Sequence, residues 1–189
     1  MARPRSEDKR NAILSAAAKV FADEGLAAPT SRIAREAGVA DGTVFTYFSS
    51  KDALLNELYV ALKGELRAVM LAGFPHAAPL RDRVHHVWER YVAWGASHPH
   101  KRQAMARLAI SEKISPDNRL AAAAGFGELQ ALMEEGAALS TLGEVPPMFV
   151  GALMGAIADT TIDHMARDPA QAARYREAGF SAFWHGISS

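Results

Sequence analysis

The chain contains no cysteine. That absence excludes a disulfide scaffold, a thiolate zinc site, an iron–sulfur cluster and a cysteine nucleophile. Neither sign of charge is in excess, since 21 Lys and Arg face 21 Asp and Glu. The balance speaks against an acidic tail and against a protein that coats nucleic acid through many basic contacts. No run of about 18 apolar residues occurs; the most apolar stretch, Val145 to Ile157, is shorter and is followed by Asp159 and Asp163. The first residues mix Arg3, Arg5, Glu7, Asp8, Lys9 and Arg10 with no apolar stretch behind them. No secretory signal is expected, no membrane partner, and the chain reads as cytoplasmic. Also missing are a Gly-x-Ser-x-Gly elbow, a phosphate-binding glycine loop and a His-Glu-x-x-His pair, so nothing points to an enzyme.

What is present is helical periodicity almost throughout, with no sustained alternation of the kind a half-buried strand needs. The expected fold is all-α with about nine helices. Ser6 stands where a first helix starts, as a cap for free N–H groups, with Glu7 and Asp8 at the positive end of the helix dipole. Ile13, Ala17, Val20 and Phe21 share one face, and Gly25 ends the helix. A short second helix follows Pro29 and stops at Gly38. A third runs from Asp41 or Gly42 to Phe48. Ser49 or Ser50 caps a fourth, with Asp52 at capping-box spacing from Ser49. Leu54, Leu58, Leu62 and Leu66 form a stripe along it, long enough to join two parts of the molecule. Beyond Gly73, proline-containing loops divide the remainder into five more helices.

The segment from Thr30 to Lys51 has the build of a helix-turn-helix. Ile33 and Ala37 lie four apart on an inner face, small Ala34 and Ala37 admit the next helix, Gly38 permits a sharp turn, and Val39 and Val44 plug the joint. The outer face of the third helix is then Thr43, Thr46 and Tyr47, bordered by Phe45, with Gly42 where backbone approaches closest. These are contact residues. Thr hydroxyls bond base edges or phosphates, Thr methyls and aromatic rings pack on thymine methyls, and Tyr hydroxyls reach phosphates. Lys51 and the start of the fourth helix point to flanking phosphates. A hairpin that merely packs would carry Lys and Glu at these outer positions.

Arg10 to Leu55 resembles the DNA-binding domain of the tetracycline-repressor (TetR) family. The resemblance rests on Ile13, Phe21 and Gly25, on Ile33-Ala34 with Ala37-Gly38-Val39, on Gly42-Thr43-Val44-Phe45 with Tyr47-Phe48, and on Lys51 with Leu54-Leu55. It implies an all-helical homodimer whose two recognition helices meet a palindromic operator in double-stranded DNA. It implies a helix-turn-helix DNA-binding domain over 1–50 and a ligand-binding and dimerisation domain over 51–189, with no cofactor. By position it brings Thr30, Ser31 and Ala40 to the DNA beside Gly42, Thr43, Phe45, Thr46, Tyr47 and Lys51. Function follows as an expectation: a regulator, most naturally a repressor, released by a small molecule.

Trp88, Tyr91 and Trp94 are spaced three and three behind His85 and His86. Such a stripe is commonly core. The resemblance implies a cavity among these helices, which makes the three aromatics candidate lining together with Met105, Leu108, Phe126, Met133, Phe149 and Met154. An apolar pocket of that kind suits hydrophobic or aromatic, often cationic, molecules. Phe149, Leu153 and Ile157 make one stripe and Phe180, Phe183, Trp184 and Ile187 another, too near the chain end for all to find cover within one subunit. They are the candidate dimer interface, with Gly151 and Gly155 allowing a close helix crossing; an internal core is the alternative. His98 with His100, and Asp159 with Asp163 and His164, are spaced to hold a metal, but a solvated turn and an ordinary helix face explain them better, and no metal is expected.

Overall fold

A computed structural model describes residues 6–138 and 145–188. Among them are ten α-helices, one 3-10 turn and no β-strand: α1 (Glu7–Glu24), α2 (Thr30–Glu36), α3 (Asp41–Tyr47), α4 (Lys51–Leu71), α5 (Leu80–Ser97), α6 (Pro99–Ala109), α7 (Pro116–Ala123), α8 (Gly127–Ala138), α9 (Pro147–Arg167), the turn Pro169–Gln171 and α10 (Ala172–Ile187). The count exceeds the expectation by one helix. The extra break falls at Gly125–Phe126, where no proline marks it. There the end of the Arg67 side chain occupies the space that Gly125 leaves free of a Cβ. Arg3 and Arg5 lie outside the described residues.

The chain forms two compact units, residues 1–64 with 98–124, and residues 65–97 with 125–189. In the first, α1 packs along α6 and against α2, and α2 against α3. Ile13, Phe21, Ile33, Val44, Phe48 and Leu54 are its closed core, each at 1% exposure or less. The N-terminal ends of α1 and α4 are set differently from the sequence expectation. Ser6 is at the N-cap of α1, but its side chain makes no cap bond; its backbone N–H instead donates to the Tyr47 hydroxyl at 3.2 Å. At α4 the cap is Ser50, whose Oγ accepts from the Ala53 N–H at 3.0 Å, and Asp52 faces Lys113 at 3.6 Å rather than closing a capping box. Gly38, with φ of +67°, makes the turn between α2 and α3 in a conformation that costs other L-residues about 1–2 kcal/mol.

In the second unit α9 is central, with α5, α8 and α10 packed on it. Trp88 is fully buried. A Cβ on Gly179 would lie 2.8 Å from the Trp88 ring and 2.3 Å from Thr161 Oγ1, so α10 seats directly on α5 and α9. Here the expectation for the last helix is corrected: Phe180, Phe183 and Ile187 are all buried within the subunit. Their stripe faces α5 and α9, with the Phe180 ring 6.1 Å from Trp88 and 4.5 Å from His85. Gly151 is likewise an internal notch, meeting Met133 of α8, while nothing stands within 4 Å of a Cβ on Gly155.

Candidate nucleic-acid interface

The sequence of α3 sorts itself by side. Val44 and Phe48 point into the core at 1% exposure, and packing them against Ile33 and Ala34 fixes the rotation of the helix about its own axis. Ala40, Gly42, Phe45 and Thr46 are then exposed, Phe45 at 52%, while Thr43 and Tyr47 are half-buried at the flank. Nothing in the sequence expectation gave Tyr47 an internal partner; its hydroxyl is already engaged by the Ser6 N–H, which ties the start of α1 to the end of α3. The Thr46 hydroxyl back-bonds to the Gly42 carbonyl at 3.4 Å. At the head of α2, Thr30 is half-buried and Ser31 exposed. Thus the nine residues expected at DNA lie on α2, α3 and the start of α4, in one compact unit.

The surrounding charges are largely neutralised in place. Lys19 pairs with Glu36 at 2.5 Å, and Arg32 with Glu24 through 2.5 Å and 2.9 Å bonds. Hydrogen bonding to Arg32 holds the Glu24 carboxyl below its ordinary range, and the bond to Glu36 lifts the Lys19 ammonium. Arg10, which sequence reasoning missed, pairs with Glu57 and lies 5.7 Å over the Phe48 ring, bracing α3 between α1 and α4. No periodicity signals such a contact. Lys51 sits 5.9 Å over the Phe21 ring, and burial pulls its ammonium below the usual lysine value. A surface with so little net field relies on position rather than on long-range attraction.

The residues expected to line a ligand cavity are dispersed. Met133 and Met154 do border an apolar cavity among α5, α8, α9 and α10. Trp88 is sealed against α10, Trp94 donates its Nε1–H to Glu65 at 2.9 Å, and the Tyr91 hydroxyl reaches Asp159 at 3.2 Å. Met105 and Leu108 are buried on α6, in the other unit. Phe126 is half-buried at the α7–α8 break and Phe149 is 51% exposed. Of the residues expected at an association surface, Phe149 is exposed and Leu153, Ile157 and Trp184 are half-buried. A groove between α9 and α10 runs past Ala156, Ile157, Thr160, His164, Tyr175 and Ala178. His100 meets Asp23 at 3.2 Å, and no cluster of three metal-ligating side chains occurs among the described residues. No helix among them is long and apolar enough to cross a membrane.

A helix-turn-helix whose third helix is anchored by buried Val44 and Phe48 and exposes Asp41, Gly42, Phe45 and Thr46 has the architecture of a sequence-reading DNA-binding module. Residues 13–58 match the family of bacterial regulatory proteins designated tetR, so that segment is of the TetR DNA-binding type. It is 42% identical over 77 residues to the HTH-type transcriptional regulator BetI of Rhizobium meliloti (strain 1021), a match covering 40% of this chain and 38% of BetI. The matches to the curated relatives thus span about two fifths of their length. The whole chain resembles a tetR-family transcription regulator of Shewanella sp. PV-4, with 27% identity, a TM-score of 0.81 and coverage of 98% of this chain and 100% of the other. It shares the fold of LfrR from Mycobacterium smegmatis, solved with proflavine, at a TM-score of 0.71 and 21% identity, over 97% of this chain and 99% of that one. These relatives are regulators, not enzymes.

Proposed function

We propose that the protein is a ligand-responsive transcriptional repressor that binds a palindromic operator as a homodimer. The observation that carries the reading is the division of α3, with Val44 and Phe48 closed in the core and Ala40, Gly42, Phe45 and Thr46 open to a partner. In this reading residues 1–50 contact DNA, with Thr43, Phe45, Thr46 and Tyr47 in the major groove and Thr30, Ser31 and Lys51 on flanking phosphates. Residues 51–189 receive the effector and pair the subunits, through the exposed parts of α9 and α10 that include Phe149, Leu153, Ile157 and Trp184. LfrR, a relative in fold, was solved with a small molecule, which supports an effector here.

The coupling runs along covalent structure. Val84 and Val87 of α5 border the apolar cavity, and Trp94 of the same helix is bonded to Glu65 of α4. Helix α4 contributes residues up to 64 to one compact unit and residues from 65 to the other. A ligand that displaces α5 therefore pulls on α4. Two recognition helices must stand about 34–36 Å apart to enter successive major grooves, and a small rotation of α4 moves them off that spacing. Linkage requires operator DNA to weaken the ligand by the factor by which the ligand weakens DNA, with a coupling of about 1–3 kcal/mol.

The test is a gel-shift on DNA upstream of the protein's own gene, repeated at raised salt and against random competitor, then with small molecules added. A shifted band that survives competitor, is weakened in Phe45→Ala at unchanged helical content, and is released by a compound that operator DNA in turn displaces is the expected result. Failure of Phe45→Ala to alter binding, or ligand and operator binding without mutual effect, refutes the reading.

A further inference from the structure

The geometry points to an effector that is an uncharged aliphatic chain, admitted by displacement of Met133 from a notch at Gly151; this rests on the regulator reading above only for the word effector. The cavity in the second unit is bordered by aliphatic side chains from four helices: Val84 and Val87 on α5, Leu129 and Leu132 on α8, Val150 on α9 and Ile187 on α10. None of its described lining residues carries a charge or a side-chain hydrogen-bonding group, and Phe183 is the one ring among them. A cation entering there would shed its water with no carboxylate to meet it, a penalty several powers of ten in affinity deep. Large aromatic ligands fare little better, because the aromatic side chains that would stack on them, Trp88, Tyr91 and Trp94, are absent from its walls. An alkyl chain meets no such cost, and its gain grows with every methylene it hides from water.

As it stands the cavity measures about 20 Å³, the room of a single water, and such a dry apolar space does not fill with solvent. Something must move before a chain enters. Met133 is that group. A Cβ on Gly151 would lie 2.4 Å from Met133 Sδ and 2.7 Å from its Cε, so the thioether end occupies the space that glycine leaves on α9. Met133 borders the cavity and is half-buried. Its three-bond, unbranched side chain changes rotamer more readily than the β-branched and γ-branched groups around it. The position of the Met133 thioether therefore sets how long a chain the site takes.

The experiment titrates the full chain, without DNA, with the 1-alkanols from 1-hexanol to 1-dodecanol and with benzyltrimethylammonium as the cationic probe, by calorimetry and by the shift in melting temperature. Affinity is expected to rise about three- to fourfold per methylene up to a cut-off length and then stop, with no binding of the cation. Gly151→Ala pushes Met133 into the cavity and shortens the cut-off, and Met133→Leu, whose branch does not enter the notch, shortens it too. Met133→Ala lengthens it. Affinity independent of chain length, cation binding as tight as that of the alkanols, or a cut-off unmoved in both Gly151→Ala and Met133→Leu overturns the inference. The two readings fail separately: alkanols that bind with this length dependence yet leave an operator complex intact refute effector release and keep the site, whereas operator release by a compound that does not compete with 1-decanol refutes the site and keeps the regulator.

Discussion

Two phenylalanines three residues apart on one short helix should respond to truncation in opposite ways. Phe48 is 1% exposed, packed beneath the Arg10 guanidinium, and Phe45 is 52% exposed. Replacing a buried Phe by Ala loses its transfer free energy and leaves a cavity, in all about 3–5 kcal/mol. Phe45→Ala removes a ring already half in water, where no closed cavity forms. Half of the roughly 1.5–3 kcal/mol for a fully buried large apolar side chain puts its cost near 1 kcal/mol. For DNA the order reverses. Closing the exposed half of the Phe45 ring against thymine methyls would gain about 1 kcal/mol by area, so Phe45→Ala should weaken operator binding roughly fivefold. Phe48→Ala should lose binding only in proportion to the fraction unfolded. Urea unfolding followed by far-UV circular dichroism gives the stabilities, and gel-shift at fixed salt gives the affinities. Equal destabilisation by the two substitutions, or an undiminished affinity in Phe45→Ala, would refute the assignment of sides to α3.

Three further outcomes are expected. Lys51→Ala should weaken operator and random DNA alike and reduce the slope of log affinity against log salt by about one, read from gel-shifts at several salt concentrations. Gly38→Ala should cost about 1–2 kcal/mol in urea unfolding, all of it conformational, because no heavy atom stands within 4 Å of the added Cβ at φ of +67°. Burial holds the Lys63 ammonium below its ordinary value of 10.5, with its Nζ 5.9 Å over the Tyr59 ring. The unfolded chain therefore keeps that proton more tightly, and stability should rise as pH climbs through the folded-state value toward 10.5. Lys63→Met should flatten that rise and stabilise the protein at neutral pH, as read from melting curves across pH.

The helix-turn-helix was legible because each of its positions is constrained by local geometry. Gly38 must take a positive φ, Ala34 must be small, and Ile33, Val44 and Phe48 recur at helical spacing around one joint; all three of these large residues are buried at 1% or less. Once the inner side is fixed by periodicity, the outer side follows by subtraction only in part: Gly42, Phe45 and Thr46 are exposed, whereas Thr43 and Tyr47, expected on the outer face, are half-buried. Contacts between residues distant in sequence left no such trace. The Ser6 N–H on the Tyr47 hydroxyl and the Arg10 guanidinium over Phe48 join α1 to α3 across about 40 positions. Nor did a proline mark the break at Gly125, and the Arg67 side chain that fills the space beside it comes from some 60 residues earlier.

Periodicity states that a stripe is covered without stating what covers it, and this explains the reversal on α10. Phe180, Phe183 and Ile187 have the spacing of an association surface, yet α5 and α9 of the same subunit bury them. With the large residues turned inward, the opposite side of α10 exposes Ala178, Ala182 and Gly186, and the open side of α9 exposes Ala152, Ala156 and Thr160. Small side chains let helix backbones approach closely but contribute little area each. A dimer formed on these two helices would therefore combine close helix-to-helix fit along their length with the larger groups Met148 and Phe149, both exposed, and the half-buried Leu153, Ile157 and Trp184. Such an interface tolerates little rotation before it loses contact. That intolerance is the property required of a pairing that must hold two recognition helices at a fixed spacing.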